Sequence, residues 1–206
     1  MSAEEFAATT HVSRETLDRL RRFAQLLVKW QGAINLVAAD SLDDLWRRHM
    51  LDSAQLRPFL PDPTWTLADI GSGAGFPGLV LAIMGVPGVH LIESDSRKCI
   101  FLAEAARQTG LDPMRDLAIH NVRVENLRDL VVDAVTSRAC AKLGLLLEYA
   151  VPLLKPAGAC VFLKGAKAAE ELTEAQESWH MHVERFASLS SPSGVVIRIS
   201  HPKRAR

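Results

Sequence analysis

The sequence has no excess of charge of either sign, because 24 Lys and Arg residues balance 24 Asp and Glu residues over 206 positions. This neutrality excludes binding of nucleic acid through overall positive charge. Any contact with a polyanion therefore requires basic residues that are concentrated on one surface. The sequence also lacks repeats and low-complexity segments.

Cysteine is scarce and long apolar runs are missing. The three cysteines, Cys99, Cys140 and Cys160, are too far apart for a CxxC pair, which argues against a metal or redox motif and favours a reducing compartment. Met1–Thr10 lacks the apolar run of a secretory signal, and no stretch reaches the ~18–20 apolar residues of a membrane span. We therefore expect a soluble, cytoplasmic protein without a membrane partner.

The length suits a single domain, since domains usually contain about 100–200 residues. We expect helices over residues 1–63 and an α/β core over residues 64–206. In the first part, apolar residues at steps of three and four predict an amphipathic helix over Ser13–Trp30. A second helix is predicted over Leu42–Leu60, where a proline-rich break follows.

After residue 64, short apolar runs alternate with helical stretches, which is typical of parallel β-α-β units in a Rossmann-like α/β fold. The predicted strands are Leu67–Ile70, Val89–Ile92, Leu117–Val122, Val131–Thr136, Ala159–Leu163, His182–Leu189 and Val195–Ser200. The predicted helices are Gly78–Gly85, Arg97–Thr109, Leu143–Leu154 and Ala168–Ser178.

The first predicted strand leads into a glycine-rich turn, Asp69–Gly78, which opens a helix. Glycines allow the backbone to turn sharply and approach a ligand, and the helix N-terminus presents free N–H groups. The turn also satisfies the GxGxxG pattern of dinucleotide-binding folds, a weak signal by itself. We expect Gly71, Gly73 and Gly75 to contact a nucleotide-like cofactor.

Two carboxylates narrow the identity of that cofactor. Asp69 stands where a dinucleotide-binding strand usually keeps an apolar residue, and it suits a ligand with an ammonium and a sulfonium group better than a pyrophosphate. Glu93 ends the next predicted strand, where an acid accepts both hydroxyls of an adenosine ribose. Asp95 is the rival candidate for the ribose. Together these residues predict S-adenosylmethionine, and its product S-adenosylhomocysteine, as the ligands.

With these residues, the chain resembles the RsmG family, also called GidB, bacterial enzymes that methylate N7 of a guanine in 16S ribosomal RNA. The resemblance runs almost end to end and rests on Trp30 with Asn35-Leu36, Arg48–Ser53, Asp69–Gly78, Arg123–Glu125, Ser137–Ala139 and Leu163–Gly165. It implies a class I S-adenosylmethionine-dependent methyltransferase fold, with a mostly parallel sheet, an antiparallel last strand and N-terminal helices.

The resemblance also implies site residues and partners. The cofactor contacts that it carries over are Gly71, Phe76, Val124, Glu125 and Arg138. The implied partner is 16S ribosomal RNA or the small ribosomal subunit, with neither a metal nor an obligate protein partner. The chain departs from the family pattern at Cys140 and in its last four residues, and neither departure falls on a cofactor position.

Guanine N7 carries a free lone pair, so its in-line attack on a sulfonium methyl group needs no general base. Arg138 stays protonated and is expected to act by holding guanine O6, a phosphate or the cofactor. Motifs for exocyclic-amine and for pyrimidine-C5 methylation are absent from the sequence. Cys140, in an Ala-Cys-Ala context, is interpreted as a packing residue.

Basic residues near predicted strand ends and in the C-terminal stretch are candidates for RNA contact. From Arg185 onward the sequence contains no acidic residue. The candidates are Arg47, Arg48, His49, Arg123, Lys164, Lys167, Arg198, Lys203 and Arg204.

Two other functions fit parts of the sequence. An NAD-dependent oxidoreductase would use the GxGxxG turn, but Asp69 disfavours it. A noncatalytic RNA-binding module that keeps an adenosyl pocket is disfavoured by the intact turn together with Glu93 and Arg138.

Overall fold

A computed structural model describes residues 1–60, 64–113, 115–138 and 140–205. Its centre is a seven-stranded sheet with the order β3-β2-β1-β4-β5-β7-β6. The strands are β1 (Leu67–Ile70), β2 (Val89–Glu93), β3 (Leu117–Asn121), β4 (Val132–Arg138), β5 (Leu154–Lys164), β6 (Trp179–Ala187) and β7 (Val195–Arg204). The pairings from β3 to β5 are parallel, whereas β7 is antiparallel to both of its neighbours.

The α-helices alternate with the strands after the N-terminal region. They are α1 (Ala3–Thr10), α2 (Arg14–Gln31), α3 (Asp52–Ala54), α4 (Gly78–Ile83), α5 (Ser96–Gln108), α6 (Leu143–Ala150) and α7 (Ala168–Gln176). Short 3₁₀ segments cover Ala39–Asp44, Arg57–Phe59, Val124–Asn126 and Val151–Leu153, and a π-helical segment covers Trp46–Leu51. Among the described residues, no helix is both long and apolar enough to span a membrane.

The two faces of the sheet bury different sets of helices, because successive strand residues point to opposite sides. Leu67 and Leu91 pack in one apolar cluster, whose helical members belong to α1–α5 and to the π-helical segment. Ala68 and Ile70 pack in the other cluster with residues of α6 and α7. This three-layer architecture, with its antiparallel last strand, confirms the predicted class I methyltransferase fold.

The N-terminal region differs from the sequence prediction in two places. Helix α1 was not predicted, although Ser2 and Glu5 form a capping box in which each side chain accepts from the other residue's backbone N–H. The single helix predicted over Leu42–Leu60 is instead a series of 3₁₀, π and α segments. Of the prolines that were predicted to end it, Pro58 lies within the 3₁₀ segment Arg57–Phe59, and Pro61 and Pro63 lie outside the described residues.

The strand ends also differ from the predicted ones. Strand β5 starts at Leu154 instead of Ala159, and its pairing with β4 shifts register between Val132 and Ala134. Pro156 and Gly158 fall in that irregular part. Because both residue types are unfavourable in regular sheet, this part of the strand was not predicted. Strand β7 extends past Ser200 to Arg204.

Candidate active site

A cavity of about 380 Å³ opens at the C-terminal edge of the parallel strands, where the strand order reverses between β1 and β4. Ligands of open α/β sheets bind at this point, because the loops of neighbouring strands separate there. The cavity is lined by Ile70, Gly71, Gly73, Ile92, Glu93, Ser94, Lys98, Val122, Arg123, Val124, Glu125, Arg138, Cys140, Ala141, Leu145 and Tyr149.

The glycine-rich turn forms one wall of the cavity. Gly71 has a φ of +69° and Gly73 a φ of +55°, which glycine adopts at little cost. The N–H of Gly71 donates to the carbonyl of Ile92 at 2.9 Å and so ties the turn to β2. A Cβ on Gly71 would lie 2.6 Å from Cys140 Sγ. The turn therefore exposes its backbone to the cavity, with no side chain at Gly71 or Gly73 in between.

Gly75 lies outside the cavity wall, so its position gives no support to the cofactor contact predicted for it. Its φ of +94° also needs glycine, but a Cβ there would lie 2.8 Å from Leu79 and 3.1 Å from Leu102. Gly75 therefore faces the apolar core and does not line the cavity. It allows the turn to pack closely against Leu79 of α4 and Leu102 of α5.

Glu93, the residue expected to accept the ribose hydroxyls, ends β2 at the cavity. It is 9% exposed and lines the cavity; its Oε2 accepts from the N–H of Gly73 at 2.9 Å and its Oε1 accepts from the N–H of Asp95 at 2.8 Å. Asp95 instead caps α5 by accepting from the N–H groups of Arg97 and Lys98, and it is not part of the cavity wall. The geometry favours Glu93 of the two rivals.

Asp69 is fully buried beneath the turn and does not line the cavity. Its Oδ2 accepts from the N–H of Gly78 at 2.9 Å, while its Oδ1 has no hydrogen-bond partner. Burial raises the pKa of Asp69 to about 7, although the bond from Gly78 opposes the shift. Its position does not support the direct cofactor contact expected from the sequence; Asp69 holds the start of α4 against the end of β1.

Val124 and Glu125 line the cavity from the 3₁₀ turn that follows β3. The hydroxyl of Tyr149, on α6, donates to Glu125 Oε1 at 3.0 Å. Residues from both sides of the strand-order reversal thus meet across the cavity.

Arg138 ends β4, and its side chain is largely buried, with 20% of its surface exposed. Its Nη1 donates to the carbonyl of Arg48 at 3.2 Å and lies 3.6 Å from Asp52 Oδ2. Burial lowers the pKa of Arg138, and the charge of Asp52 opposes that shift. The guanidinium carbon also lies 4.9 Å from the centroid of the Phe76 ring, a cation–π contact.

Phe76 is buried and supports Arg138 from below, without lining the cavity. His49 stacks on its ring, and the His49 Nε2 lies 2.7 Å from Ser41 Oγ. Burial lowers the pKa of His49 to about 3, and the charges of Arg138 and Arg48 contribute. His49 is therefore a neutral structural residue, and the RNA contact predicted for it is not supported by its position.

Three other predicted RNA contacts are held by acidic residues. The Lys164 side chain is 5% exposed, and its Nζ binds Glu171 at 2.8 Å and the carbonyl of Ala141 at 2.6 Å. Arg198 pairs with Glu184, and Arg204 pairs with Glu148 at 2.9 Å. None of these pairings could be predicted from the sequence, because each acidic residue lies on a different helix or strand from its basic partner.

Direction along the sheet separates the remaining basic candidates. Val195 of β7 pairs with Lys164 at the cavity edge, and because β7 is antiparallel, Lys203 and Arg204 lie at the opposite edge. The basic tail is thereby carried away from the cavity, contrary to the expected gathering of charge around its mouth. Arg123 lines the cavity, and exposed Lys167 follows the end of β5 at the same edge.

Arg47 and Arg48 are about half exposed on the helical segments before α3. Arg47 pairs with Asp44 at 3.4 Å and Arg48 with Asp40 at 3.3 Å. Exposed pairs of this kind are weak and can exchange for a phosphate partner.

Several residues of the cavity wall were not predicted from the sequence, namely Ser94, Lys98, Cys140, Ala141, Leu145 and Tyr149. The interpretation of Cys140 as a packing residue is wrong, because it is exposed in the cavity wall beside Gly71. Although the residue as a whole is exposed, partial burial of its sulfur, together with the charges of Asp69 and Glu93, raises the pKa of Cys140, so it is a thiol and not an activated nucleophile. In the described part of the chain, no group of three or more His, Cys, Asp or Glu residues could hold a metal ion.

Residues 16–195 match the family described as rRNA small subunit methyltransferase G, GidB. The chain is 55% identical over 205 residues to the ribosomal RNA small subunit methyltransferase G of Rhodospirillum rubrum, with all of both chains covered. The chain belongs to this family. It is also 54% identical to the protein of the same name from Rhodospirillum centenum, over 96% of this chain and 90% of the relative.

Solved structures with little sequence identity share the fold. A ribosomal protein L11 methylase from Lactobacillus delbrueckii subsp. bulgaricus superposes with a TM-score of 0.59 at 18% identity, over 73% of this chain and 76% of the other. M. jannaschii TYW2 in complex with AdoMet superposes with a TM-score of 0.59 at 17% identity, over 84% and 80%. The architecture is that of a class I methyltransferase.

Proposed function

We propose that this protein transfers a methyl group from S-adenosylmethionine to N7 of a guanine in 16S ribosomal RNA of the small subunit. The observation that carries the proposal is the convergence of the glycine turn, Glu93 and Arg138 on one cavity, in a chain of the small-subunit methyltransferase family.

The residues of the cavity fit the cofactor. Glu93 presents a carboxylate that is already oriented by two backbone N–H groups and suits a pair of ribose hydroxyls. Gly71 and Gly73 leave room for a ligand beside the backbone, and a Cβ at Gly71 would close the gap to Cys140. Val124 and Glu125 suit the edge of the adenine. When bound, S-adenosylmethionine supplies an electrophilic methyl group on its sulfonium.

The residues of the site act by position and charge, not as a base. The lone pair of guanine N7 is free at neutral pH, so no proton has to be removed before attack. Alignment of nucleophile and methyl group can contribute on the order of 7–11 kcal/mol. Arg138 stays protonated despite the lowered pKa and presents a planar donor fork at the cavity, suited to guanine O6 or to a phosphate.

The proposed RNA surface comprises the basic residues at the cavity edge. Arg123, Lys98 and Lys167 lie at the mouth or beside it, with Arg47 and Arg48 on the N-terminal segments. Lys203 and Arg204 are excluded from this surface because they lie at the far edge of the sheet.

The function is tested by incubating the purified chain with labelled S-adenosylmethionine and small subunits from cells that lack this modification, followed by nucleoside analysis. We expect label in 7-methylguanosine. Arg138→Ala should abolish most turnover and Arg138→Lys should restore only part, while Arg204→Ala is the matched control with wild-type turnover. Label in another nucleoside would refute the N7 assignment. Calorimetry that shows binding of NAD but no binding of S-adenosylhomocysteine would refute the proposed cofactor.

A further inference from the structure

The guanidinium of Arg138 has no acidic partner on its own strand. Its nearest counter-charge is Asp52 Oδ2 at 3.6 Å, on the N-terminal helical segment, where the Asp52 side chain is 18% exposed. A cation that is buried to this degree needs an oriented carboxylate, because water cannot stabilise it fully. Asp52 therefore orients the guanidinium, together with the carbonyl of Arg48 and the ring of Phe76.

The second oxygen of Asp52 is held from two directions. Ser190, in the loop between β6 and β7, donates its hydroxyl to Asp52 Oδ1 at 2.5 Å. Gln55 Nε2 donates to the same oxygen at 3.0 Å. With Oδ1 fixed in this way, Oδ2 faces Arg138.

Gln55 also binds the loop itself. Its Nε2 lies 3.1 Å from Ser188 Oγ and its Oε1 accepts from the N–H of Leu189 at 2.8 Å. The N–H of Ser190 donates to Ser188 Oγ at 3.1 Å, which closes the network. Gln55 is 6% exposed, so these bonds are largely shielded from water.

The loop lies at the same edge of the sheet as Arg138. Strand β7 begins at Val195, which pairs with Lys164, and Leu163 before it pairs with Arg138 on β4. Three distant parts of the chain therefore meet at Asp52.

We propose that Ser190 and Gln55 are positioning residues for methyl transfer, which fix the carboxylate of Asp52 and through it the guanidinium of Arg138. This inference rests on the proposed function for its kinetic test. The loop Ser188–Ser190 has no place in the cavity wall, so its effect would be on rate and not on cofactor binding.

The test compares Ser190→Ala, Ser190→Thr and Ser193→Ala in single turnover with saturating cofactor and subunits. Ser193 is the matched control, since it is exposed in the same loop and its hydroxyl lies 3.3 Å from Ser191 Oγ. We expect Ser190→Ala to lower the rate by about tenfold to a hundredfold, the usual effect of a small misplacement. Ser190→Thr should regain most of the rate, Ser193→Ala should match the wild type, and S-adenosylhomocysteine affinity should stay within about twofold throughout.

A double-mutant cycle shows whether Ser190 acts through Arg138. In the Arg138→Ala background, Ser190→Ala should cost nothing further. A wild-type rate in Ser190→Ala, an equal loss of cofactor affinity, or an undiminished effect without Arg138 would overturn the inference.

An activity-independent readout separates this inference from the proposed function. The Nε–Hε NMR signal of Arg138, assigned by its loss in Arg138→Lys, should shift in Ser190→Ala and in Gln55→Leu but not in Ser193→Ala. If the wild type methylates no RNA while these shifts occur, the proposed function fails and the positioning network stands. If the signal is unmoved in a folded Ser190→Ala protein, the network is refuted.

Discussion

The imidazole of His49 stacks on the ring of Phe76, with the ring centroids 4.9 Å apart and the planes at 30°. His49 is buried, and its Nδ1 has no hydrogen-bond partner. Arg138 lies over the same phenyl ring. A neutral imidazole is compatible with this neighbouring cation, whereas an imidazolium would be repelled by it.

Acid should therefore destabilise the protein through His49. The pKa of His49 is about 3 in the folded chain and 6.5 in the reference state, so the unfolded chain alone takes up the proton as pH falls from about 6.5 towards 3. The stability that the neutral ring contributes is lost over this window. His49→Asn should show a weaker loss of unfolding free energy than the wild type in urea titrations at pH 7, 6, 5 and 4. Equal pH dependence in both proteins would contradict the assignment, and His180→Asn, at an exposed position, is the control.

Glu93 and Asp95 should separate cofactor affinity from helix stability. Glu93→Ala should weaken S-adenosylhomocysteine binding by about 1–3 kcal/mol, because charged hydrogen bonds are lost. Asp95→Ala should leave affinity unchanged and lower the melting temperature, since α5 loses its cap. Calorimetry and thermal unfolding of both variants check this, and a reversed pattern would assign the ribose to Asp95.

Substitution of glycines should distinguish the cavity wall from the core. Gly71→Val should abolish cofactor binding, as the side chain meets Cys140, while Gly75→Val should chiefly lower the melting temperature, as it meets Leu79. Gly85→Val is the control for backbone strain alone, because its φ is +90° and its Cβ would meet no atom within 4 Å. If a stable Gly75→Val protein lost its affinity for S-adenosylhomocysteine, Gly75 would be assigned to the cofactor site.

Alkylation of Cys140 should report occupancy of the cavity. Cys140 is exposed, whereas Cys99 and Cys160 are buried. Maleimide should label Cys140 first, the label should prevent S-adenosylhomocysteine binding, and prior binding should slow labelling. Mass spectrometry of the modified peptides measures this, with Cys140→Ala as the control. Labelling at an unchanged rate under saturating S-adenosylhomocysteine would place the ligand elsewhere.

Basic residues at the two edges of the sheet should contribute unequally to RNA binding. Lys167→Ala should weaken binding to small subunits. It should also reduce the slope of log affinity against log salt concentration by about one, while Lys203→Ala should change neither quantity. Binding titrations over a range of salt concentrations check both variants. An effect of Lys203 as large as that of Lys167 would contradict the proposed surface.

The strands and the glycine turn could be predicted because their signals are local. Short apolar runs such as Leu67–Ile70 lie between breakers, and the Asp69–Gly78 turn is contiguous. The antiparallel direction of β7 followed only from the family resemblance, because the periodicity of a strand does not encode its direction. Helix α1 was not predicted because its apolar face is short, although Ser2 and Glu5 have the spacing of a capping box.

The error over the basic residues has a different cause. A sequence shows where Lys164 and Arg198 stand but not that Glu171 and Glu184 face them in the folded chain. Charge counted along the chain therefore overestimated the surface that is free for RNA. Cys140 was misjudged for the same reason, because its neighbour Gly71 comes from another strand end.

The reversal of strand order has a consequence for unfolding. Ile70 to Glu125 contribute the walls from one half of the sheet, and Arg138 to Tyr149 contribute those from the other half. A ligand seated between them acts as a reversible cross-link, since it dissociates when either half separates. At a hundredfold excess over its Kd, such a ligand adds about 2.7 kcal/mol to the free energy of unfolding. Cofactor supply inside a cell would thus set not only the rate of methylation but the fraction of the chain that is folded.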